Sequence, residues 1–141
     1  MRVMGLDVGE KTIGVAVSDP LGWTAQGVTT LKRGESLEDD LKALEGLVKE
    51  YGVDKLVVGL PRNMNGSLGA QAEKIQAFSR AAEEFLGLTV VLWDERLTTV
   101  EAERLLVRAD LSRCRRKRIV DRLAAVLILQ SYLDGHRSDK V

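Results

Sequence analysis

The sequence predicts an α/β fold with a mixed five-stranded sheet flanked by helices, and three observations predict it. Residues 2–7 and 12–18 alternate in the manner of strands on either side of a turn at Gly9, which is typical of a β-hairpin. Residues 55–60 and 89–93 are short apolar runs of the kind found in buried strands. Helical patterns alternate with these two runs, which favours parallel pairing in the second half of the chain.

The first half of the chain contains one more strand and one helix. A turn at residues 20–22 precedes a third strand over residues 24–31, so the first three strands form a meander. Ser36 begins a helix that ends before Gly52, and its apolar side chains recur at helical spacing, at Leu37, Leu41, Leu44, Leu47 and Val48.

The second half of the chain adds three helices. After a loop over residues 61–66, Ser67 caps a helix that runs to about residue 86. Thr98 and Glu101 form a capping-box pattern for a helix to about residue 108, and the last helix covers residues 116–133. Four further apolar residues are interpreted as core positions: Trp23, Trp93, Leu105 and Leu106. No linker or repeat divides the chain, so residues 1–141 are predicted to form one domain.

Composition and charge narrow the class of protein. The 141 residues contain 45% hydrophobic and 30% charged side chains, and 21 basic residues balance 21 acidic ones. No apolar run is long enough to cross a bilayer, and the opening residues read as a strand and not as a signal peptide. Cys114 is the only cysteine, which excludes an intrachain disulfide and fits a reducing cytoplasm. We therefore expect a cytoplasmic protein without a membrane partner.

We do not expect a histidine-based triad or a zinc site, because the only histidine, His136, lies in the polar tail of the chain. Carboxylates in otherwise buried sequence are the alternative. Asp7 ends the first strand, Asp94 and Glu95 end the last strand, and Asp121 lies in a nearly apolar helix. Aspartate is depleted in strands, and an unpaired buried carboxylate is costly.

Asp121 is expected to approach Asp7 because small residues favour close helix–sheet packing. Helical spacing places Asp121 on the face that carries Ala125, Ile128 and Tyr132, with Ala124 beside it. The strands supply Gly5, Gly14 and Ala16 on the faces next to Asp7.

A cluster of carboxylates is stable mainly when a cation neutralises it. Oxygen ligands without histidine or cysteine suit Mg²⁺ or Mn²⁺. Two such ions, about 3.5–4 Å apart, activate a water and stabilise the leaving oxygen in phosphodiester cleavage, which removes the need for a histidine base.

Each carboxylate also has a purely structural alternative. Asp7 is within reach of the turn amides of Gly9 and Glu10. Either Asp94 or Glu95 is a candidate to pair with Arg96, and Asp121 is a candidate to pair with Arg118 or Arg122 at the helix surface.

Basic residues indicate a nucleic-acid surface. A cluster comes just before the predicted helix of Asp121: Arg113, Arg115, Arg116, Lys117 and Arg118. Lys11 and Arg62 are further candidates for phosphate contacts, Arg62 in a loop with an Asn65–Gly66 turn. Aromatic residues make up only 4% of the chain, so recognition of shape and backbone is expected over base stacking.

Four stretches in this order resemble the YqgF family, also called RuvX: GLDVGEKTIGVAVSD, VVGLPRNMNGS, DERLTT and RIVDRLAAVLILQSYLD. The resemblance covers nearly the whole chain. It implies a ribonuclease H-like fold, which the order of elements matches, and nuclease activity in maturation of the pre-16S rRNA 5′ end or in Holliday junction resolution.

Matched residue by residue, the resemblance implies that Asp7, Glu95 and Asp121 are the catalytic and metal-binding acids, with Asp94 as the less favoured neighbour of Glu95. Apart from this resemblance, the residues expected to contact nucleic acid are the basic side chains Lys11, Arg62, Arg96, Arg115, Arg116, Lys117 and Arg118. The related RuvC resolvases carry an acid near the end of the fourth strand, where VVGLP has none, so the acid is interpreted as relocated to DERLTT.

The predicted function is a nuclease that uses Mg²⁺ or Mn²⁺ on structured RNA, with precursor 16S rRNA first and branched DNA as the close alternative. Two other functions remain open. The opening motif also resembles the phosphate loop of actin-like sugar kinases and ATPases, although those enzymes use two such domains. The other open function is a non-catalytic module that binds RNA. The sequence leaves monomer and homodimer open, and symmetric cutting of two strands would favour a dimer.

Overall fold

The computed structural model describes residues 2–62, 65–95 and 113–136, and within 113–121 it describes the backbone only. In chain order the elements of this part are β1 (Arg2–Val8), β2 (Thr12–Ser18), β3 (Ala25–Lys32), α1 (Leu37–Tyr51), β4 (Val53–Leu60), α2 (Ala70–Leu86), β5 (Thr89–Asp94) and α3 (Arg113–Gly135). The helix expected over residues 98–108, with Leu105 and Leu106, lies outside the described residues, and so does the side chain of Cys114.

The five strands form one mixed sheet in the order β3-β2-β1-β4-β5, which confirms the predicted fold class. The pairs β1–β2 and β2–β3 are antiparallel, and β1–β4 and β4–β5 are parallel. The C-terminal ends of β1, β4 and β5 therefore lie at the same edge of the sheet. This edge carries Asp7, Asp94 and the residue that follows β5, Glu95.

The two faces of the sheet are covered differently. Large aliphatic side chains of β1 and β2, such as Met4, Leu6 and Val15, pack with α1 and α2 on one face. On the other face α3 packs against Val3, Ala16 and Val57. The first core is rich in leucine and valine, whereas the second is built from smaller residues on the sheet side. None of the helices in the described ranges is long and apolar enough to span a membrane.

Helix boundaries follow local capping chemistry. Ser36 accepts a hydrogen bond from the Asp39 amide at the start of α1, and Gly52 ends it in the left-handed conformation at φ 63°, as predicted. Ser67 does not cap α2, which begins three residues later with Gly69 at its N-cap. The Ser67 hydroxyl and amide instead donate to Asn65 Oδ1, at 2.6 and 3.0 Å, within the Asn65–Gly66 turn.

Trp23 is 40% exposed, so its interpretation as a core residue is wrong. The turn between β2 and β3 is held by Asp19, whose Oδ1 accepts from the amides of Trp23 at 2.7 Å and Thr24 at 2.9 Å. The Thr24 hydrogen bond is the largest of the effects that lower the pKa of Asp19. This turn conformation leaves the Trp23 ring at the surface. Trp93, by contrast, packs against the α3 core and donates from Nε1 to the Ser131 hydroxyl at 2.9 Å.

The close approach of α3 to the sheet depends on Gly5. A Cβ at this position would lie 2.6 Å from the Leu129 Cβ and 3.1 Å from the Ala125 carbonyl oxygen. Real Cβ atoms do not approach other atoms to 2.6 Å, so a side chain here forces the helix backbone to move. The predicted tight helix–sheet packing is confirmed for this part of α3.

We expect Gly5→Ala to lower the free energy of unfolding by about 1–3 kcal/mol, because overpacking must displace α3. Gly46→Ala is the matched control, since Gly46 lies in α1 with nothing within 4 Å of an added Cβ, and alanine should stabilise that helix by roughly 0.5–1 kcal/mol. Urea unfolding measures both. Equal stability of the two variants would contradict the close packing of α3.

Candidate active site

Asp7 is buried on the α3 face of the sheet. It lies two residues after Gly5 on β1 and therefore on the same face, and it is 8% exposed. Its Cα partner on β2 is Gly14. On the other side the register pairs Leu6 with Val58, so the next step along both strands brings Asp7 beside Gly59. Asp7 thus has a glycine on each neighbouring strand, which leaves space around its carboxylate.

The turn after Asp7 is closed by backbone groups and by Arg33. The Gly9 amide, a candidate partner of Asp7 in the structural alternative, donates to the Thr12 carbonyl at 2.9 Å. The Gly9 carbonyl accepts from Arg33 Nη1 at 2.8 Å, and the Arg33 Nε donates to the buried Asp40 at 2.9 Å. Arg33 therefore ties the turn that follows β1 to α1. It lines a groove of about 570 Å³ on the face opposite Asp7.

Asp94 and Glu95 lie on opposite sides of the sheet. Trp93 packs on the α3 face, so alternation along the strand directs Asp94 to the other face. There Asp94 Oδ2 lies 3.7 Å from Arg62 Nε. The Glu95 carboxylate is on the α3 face, because its Oε1 lies 2.8 Å from the position that a Cβ of Gly59 would occupy. Glu95, and not Asp94, therefore shares a face with Asp7.

Asp121 belongs to α3, and its side chain lies outside the described part of the structure. The path of the helix locates its backbone. Arg122 packs over Gly27 in the middle of β3, whereas Gln130 Oε1 accepts from the amide of Ala25, the first residue of that strand. Since β3 runs in the same direction as β1, the earlier residues of α3 lie towards the edge where β1 ends. Asp121 precedes Ala125 by about one turn and belongs to the same helical stripe.

The chemistry of the described carboxylates is compatible with a hard cation. Asp7 and Glu95 supply oxygen ligands only, which suits Mg²⁺ or Mn²⁺. Among the side chains that the structure describes, no three potential ligands come together, and Asp121 is described by its backbone alone. The absence of a side chain at Gly59 leaves space next to the Glu95 carboxylate, since an added Cβ there would lie 2.8 Å from its Oε1.

The only histidine lies away from these carboxylates. His136 stacks on the Tyr132 ring at a centroid distance of 4.2 Å, and its Nδ1 lies 3.0 Å from the Tyr132 carbonyl oxygen. Fifteen residues of helix, about 22 Å, separate it from Asp121. A histidine base at the candidate site is therefore excluded, as the sequence predicted.

The predicted nucleic-acid contacts are described only in part. Lys11 is exposed in the turn that follows β1. Arg62, directly after β4, contacts the Gly66 carbonyl at 3.4 Å besides Asp94. Both residues lie at the edge that carries Asp7. Arg96 lies outside the described residues, and so do the side chains of the basic cluster in α3, Arg115, Arg116, Lys117 and Arg118.

Sequence reasoning missed two residues that shape the site. The VVGLP segment attracts notice only for the acid that it lacks, although a glycine inside an apolar strand, here Gly59, signals close approach of another group. Arg33 has no motif of its own in the sequence. The sequence does indicate its partner Asp40, because an acidic residue directly before the buried Leu41 of α1 suggests a buried carboxylate that needs a cationic partner.

Comparison with known proteins gives one consistent family. The model of the family described as "RuvX: Holliday junction resolvase" matches residues 1–135. A protein of Moorella thermoacetica named "Putative pre-16S rRNA nuclease" is 64% identical over 134 residues, which cover 95% of each chain. A protein of Clostridium tetani with the same name is 57% identical over 135 residues, covering 96% of this chain and 97% of the relative.

Solved structures agree on the fold. The RuvC protein of Thermus thermophilus, in complex with a Holliday junction substrate, superposes with a TM-score of 0.60 at 16% identity and covers 98% of this chain and 96% of its own. A ROK family protein from Streptococcus pneumoniae in complex with sucrose reaches 0.50 at 20% identity and covers 79% of this chain but 40% of its own. The fold is thus the ribonuclease H-like fold of RuvC. On the match of its family model and its curated relatives, the chain belongs to the RuvX family.

Proposed function

We propose that this protein is a divalent-metal-dependent nuclease that hydrolyses phosphodiester bonds in precursor 16S rRNA, in processing of its 5′ end. In this proposal residues 1–141 form a single nuclease domain that acts in the cytoplasm. Asp7, Glu95 and Asp121 are its catalytic and metal-binding residues. The family membership and the names of the curated relatives support the nuclease activity and the RNA substrate.

One observation carries the choice of residues. The Glu95 carboxylate extends from the end of β5 across Gly59 of β4, on the face of the sheet to which Asp7 belongs. Asp94 instead pairs with Arg62 on the other face of the sheet. The preference for Glu95 over Asp94 therefore rests on geometry as well as on the family resemblance.

The chain's own groups have defined tasks in this proposal. Mg²⁺ or Mn²⁺, as two ions, would lower the pKa of water and stabilise the leaving oxygen. Asp7 holds its carboxylate rigidly, because β1 is central in the sheet and Arg33 fixes the following turn. Glu95 extends from the end of a strand and therefore has more freedom. Asp121 is carried by α3, whose distance from the sheet is set by Gly5.

A DNA four-way junction is the second candidate substrate. The family description and the fold of RuvC favour it. The VVGLP segment argues for a difference from RuvC, because β4 ends in Gly59 and Leu60 and supplies no acid. A sugar kinase is not supported, since the chain matches only 40% of the ROK family protein and that likeness shows the fold alone.

We further propose that the substrate backbone is bound by basic residues around this edge, namely Lys11, Arg62, Arg96, Arg115, Arg116, Lys117 and Arg118. Lys11 and the loop that begins at Arg62 flank the end of β1, so both are near the proposed scissile position. Arg62 is half-exposed and is partly engaged with Asp94, at 3.7 Å. Contacts of this kind position a nucleic acid and carry no base specificity.

Cleavage tests the proposed function directly. With Mn²⁺ or Mg²⁺, wild type should cut a precursor 16S 5′ leader faster than a four-way DNA junction. Asp7→Asn, Glu95→Gln and Asp121→Asn should each lower the rate by roughly 10³-fold, about 4 kcal/mol of lost transition-state stabilisation. The matched control Asp94→Asn should retain most of the activity. Equal losses in Glu95→Gln and Asp94→Asn would contradict the assignment, and faster cutting of the junction would favour the second substrate.

Removal of the Asp7 charge should separate catalysis from stability. In EDTA we expect Asp7→Asn to melt at the same temperature as wild type or higher, because Asn keeps the shape of the side chain and removes its repulsion with the other proposed acids on the same face. In Mn²⁺ only wild type should gain stability, by mass action. Differential scanning calorimetry measures both conditions. A clearly lower melting temperature of Asp7→Asn in EDTA would show that Asp7 is a structural residue.

The basic cluster should determine the salt dependence of RNA binding. Replacing Arg115, Arg116, Lys117 and Arg118 with Gln should reduce the slope of log K against log salt by about 0.7 for each lost phosphate contact. Fluorescence anisotropy with the leader RNA in EDTA measures the slope without cleavage. Lys42→Gln is the control, because Lys42 is an exposed helix residue paired with Glu38 at 3.3 Å. An unchanged slope in the cluster variant would exclude these residues from the RNA surface.

A further inference from the structure

Gly59 occupies an unusual position for a glycine. It lies in β4, which is hydrogen-bonded to β1 on one side and β5 on the other, and glycine weakens the interior of a strand. Backbone conformation does not explain it, because the positive-φ glycines of the described chain are Gly22, Gly52, Gly66 and Gly87. The residue is buried, so the explanation must lie in the groups that pack against it.

Two side chains from different elements converge on Gly59. A Cβ added there would lie 2.5 Å from the Ile128 Cδ1 and 2.8 Å from the Glu95 Oε1. Ile128 is fully buried in the core between the sheet and α3. Glu95 follows β5 and is only partly buried. The space that a side chain at position 59 would occupy is therefore bounded by an aliphatic group of α3 (Ile128) and by the Glu95 carboxylate.

The two contacts respond differently to a methyl group. Ile128 is packed on all sides, so displacing its Cδ1 strains the core. The Glu95 carboxylate is the end of a flexible side chain at the sheet edge and can swing away at little cost in folding energy. An alanine at position 59 is thus expected to affect stability through Ile128 and to affect the carboxylate's position through Glu95.

We infer that Gly59 is a positioning residue for the proposed metal site, because its empty side-chain space holds the Glu95 carboxylate on the face and at the strand level of Asp7. The inference rests on the proposed function. Gly59 contacts no substrate atom in this proposal and acts on the metal site through Glu95. Its contact with Ile128, which is not a ligand, concerns the packing of α3 and therefore stability.

A set of four variants separates the two effects: Gly59→Ala, Ile128→Val, the double variant Gly59→Ala with Ile128→Val, and Gly27→Ala as control. Ile128→Val removes the Cδ1 that a Cβ at 59 would meet, and leaves the conflict with Glu95 in place. Gly27 is a strand glycine that also faces α3, but the atoms nearest to a Cβ there belong to the Arg122 and Val126 side chains.

Two readouts are needed. The melting temperature in EDTA reports the packing of Ile128, and the loss of the free Mn²⁺ signal in electron paramagnetic resonance titrations reports metal affinity without any cleavage. Gly59→Ala should lower the melting temperature and weaken Mn²⁺ binding by roughly 10- to 100-fold, as for other groups that orient a metal ligand. The double variant should regain most of the melting temperature while its Mn²⁺ affinity stays low. Gly27→Ala and Ile128→Val should bind Mn²⁺ as wild type does.

Two results would overturn the inference: wild-type Mn²⁺ affinity in Gly59→Ala, or recovery of both stability and affinity in the double variant, which would make Gly59 a packing residue only. Failure of the proposed function looks different, because wild type itself would then bind no Mn²⁺ in the same titration. That result would remove the metal site and the role of Gly59 with it.

Discussion

The close contact between α3 and the glycine-containing face of the sheet is the constraint on which the rest of the structure depends. A Cβ at Gly5 would lie 2.6 Å from that of Leu129, so the backbones of helix and strand are in close contact there. A bulkier face on β1 would lift α3 away from the sheet and with it the residue Asp121. The same face carries Asp7, so the packing that stabilises the core also brings the C-terminal helix to the edge where acids from β1 and β5 end.

The two faces of the sheet have different roles: the face beneath α1 and α2 forms the larger apolar core, and the α3 face carries the candidate site. Leucine, isoleucine and valine side chains fill the core beneath α1 and α2, where Met4, Leu6 and Leu44 are fully buried. The α3 face has smaller strand residues, and in the proposed site it carries acids that repel one another when no cation is bound. We interpret the large core as the source of the stability that offsets this cost. Proteins commonly hold strained or repulsive groups at functional sites in this way.

Local patterns are enough to predict the hairpin, the buried strands and the mixed sheet, because alternation, apolar runs and capping are short-range signals. The predictions for Ser67 and Trp23 are wrong because side chains of the preceding turns, Asn65 and Asp19, take over the local hydrogen bonds. The role of Gly59 is not predictable from its own segment. It depends on Ile128 and Glu95, which are distant in sequence and meet it only through the packing of α3 and the order of the strands.

The central claim is that Asp7, Glu95 and Asp121 hold divalent cations, and anomalous scattering from crystals grown with Mn²⁺ tests it most directly. The claim predicts two anomalous peaks, about 3.5–4 Å apart, bounded by these three carboxylates on the α3 face of the sheet. Asp94 should stay with Arg62 on the opposite face, without a peak. Peaks at Asp94, or carboxylates of Asp7 and Glu95 with no manganese between them at saturating Mn²⁺, would contradict the claim.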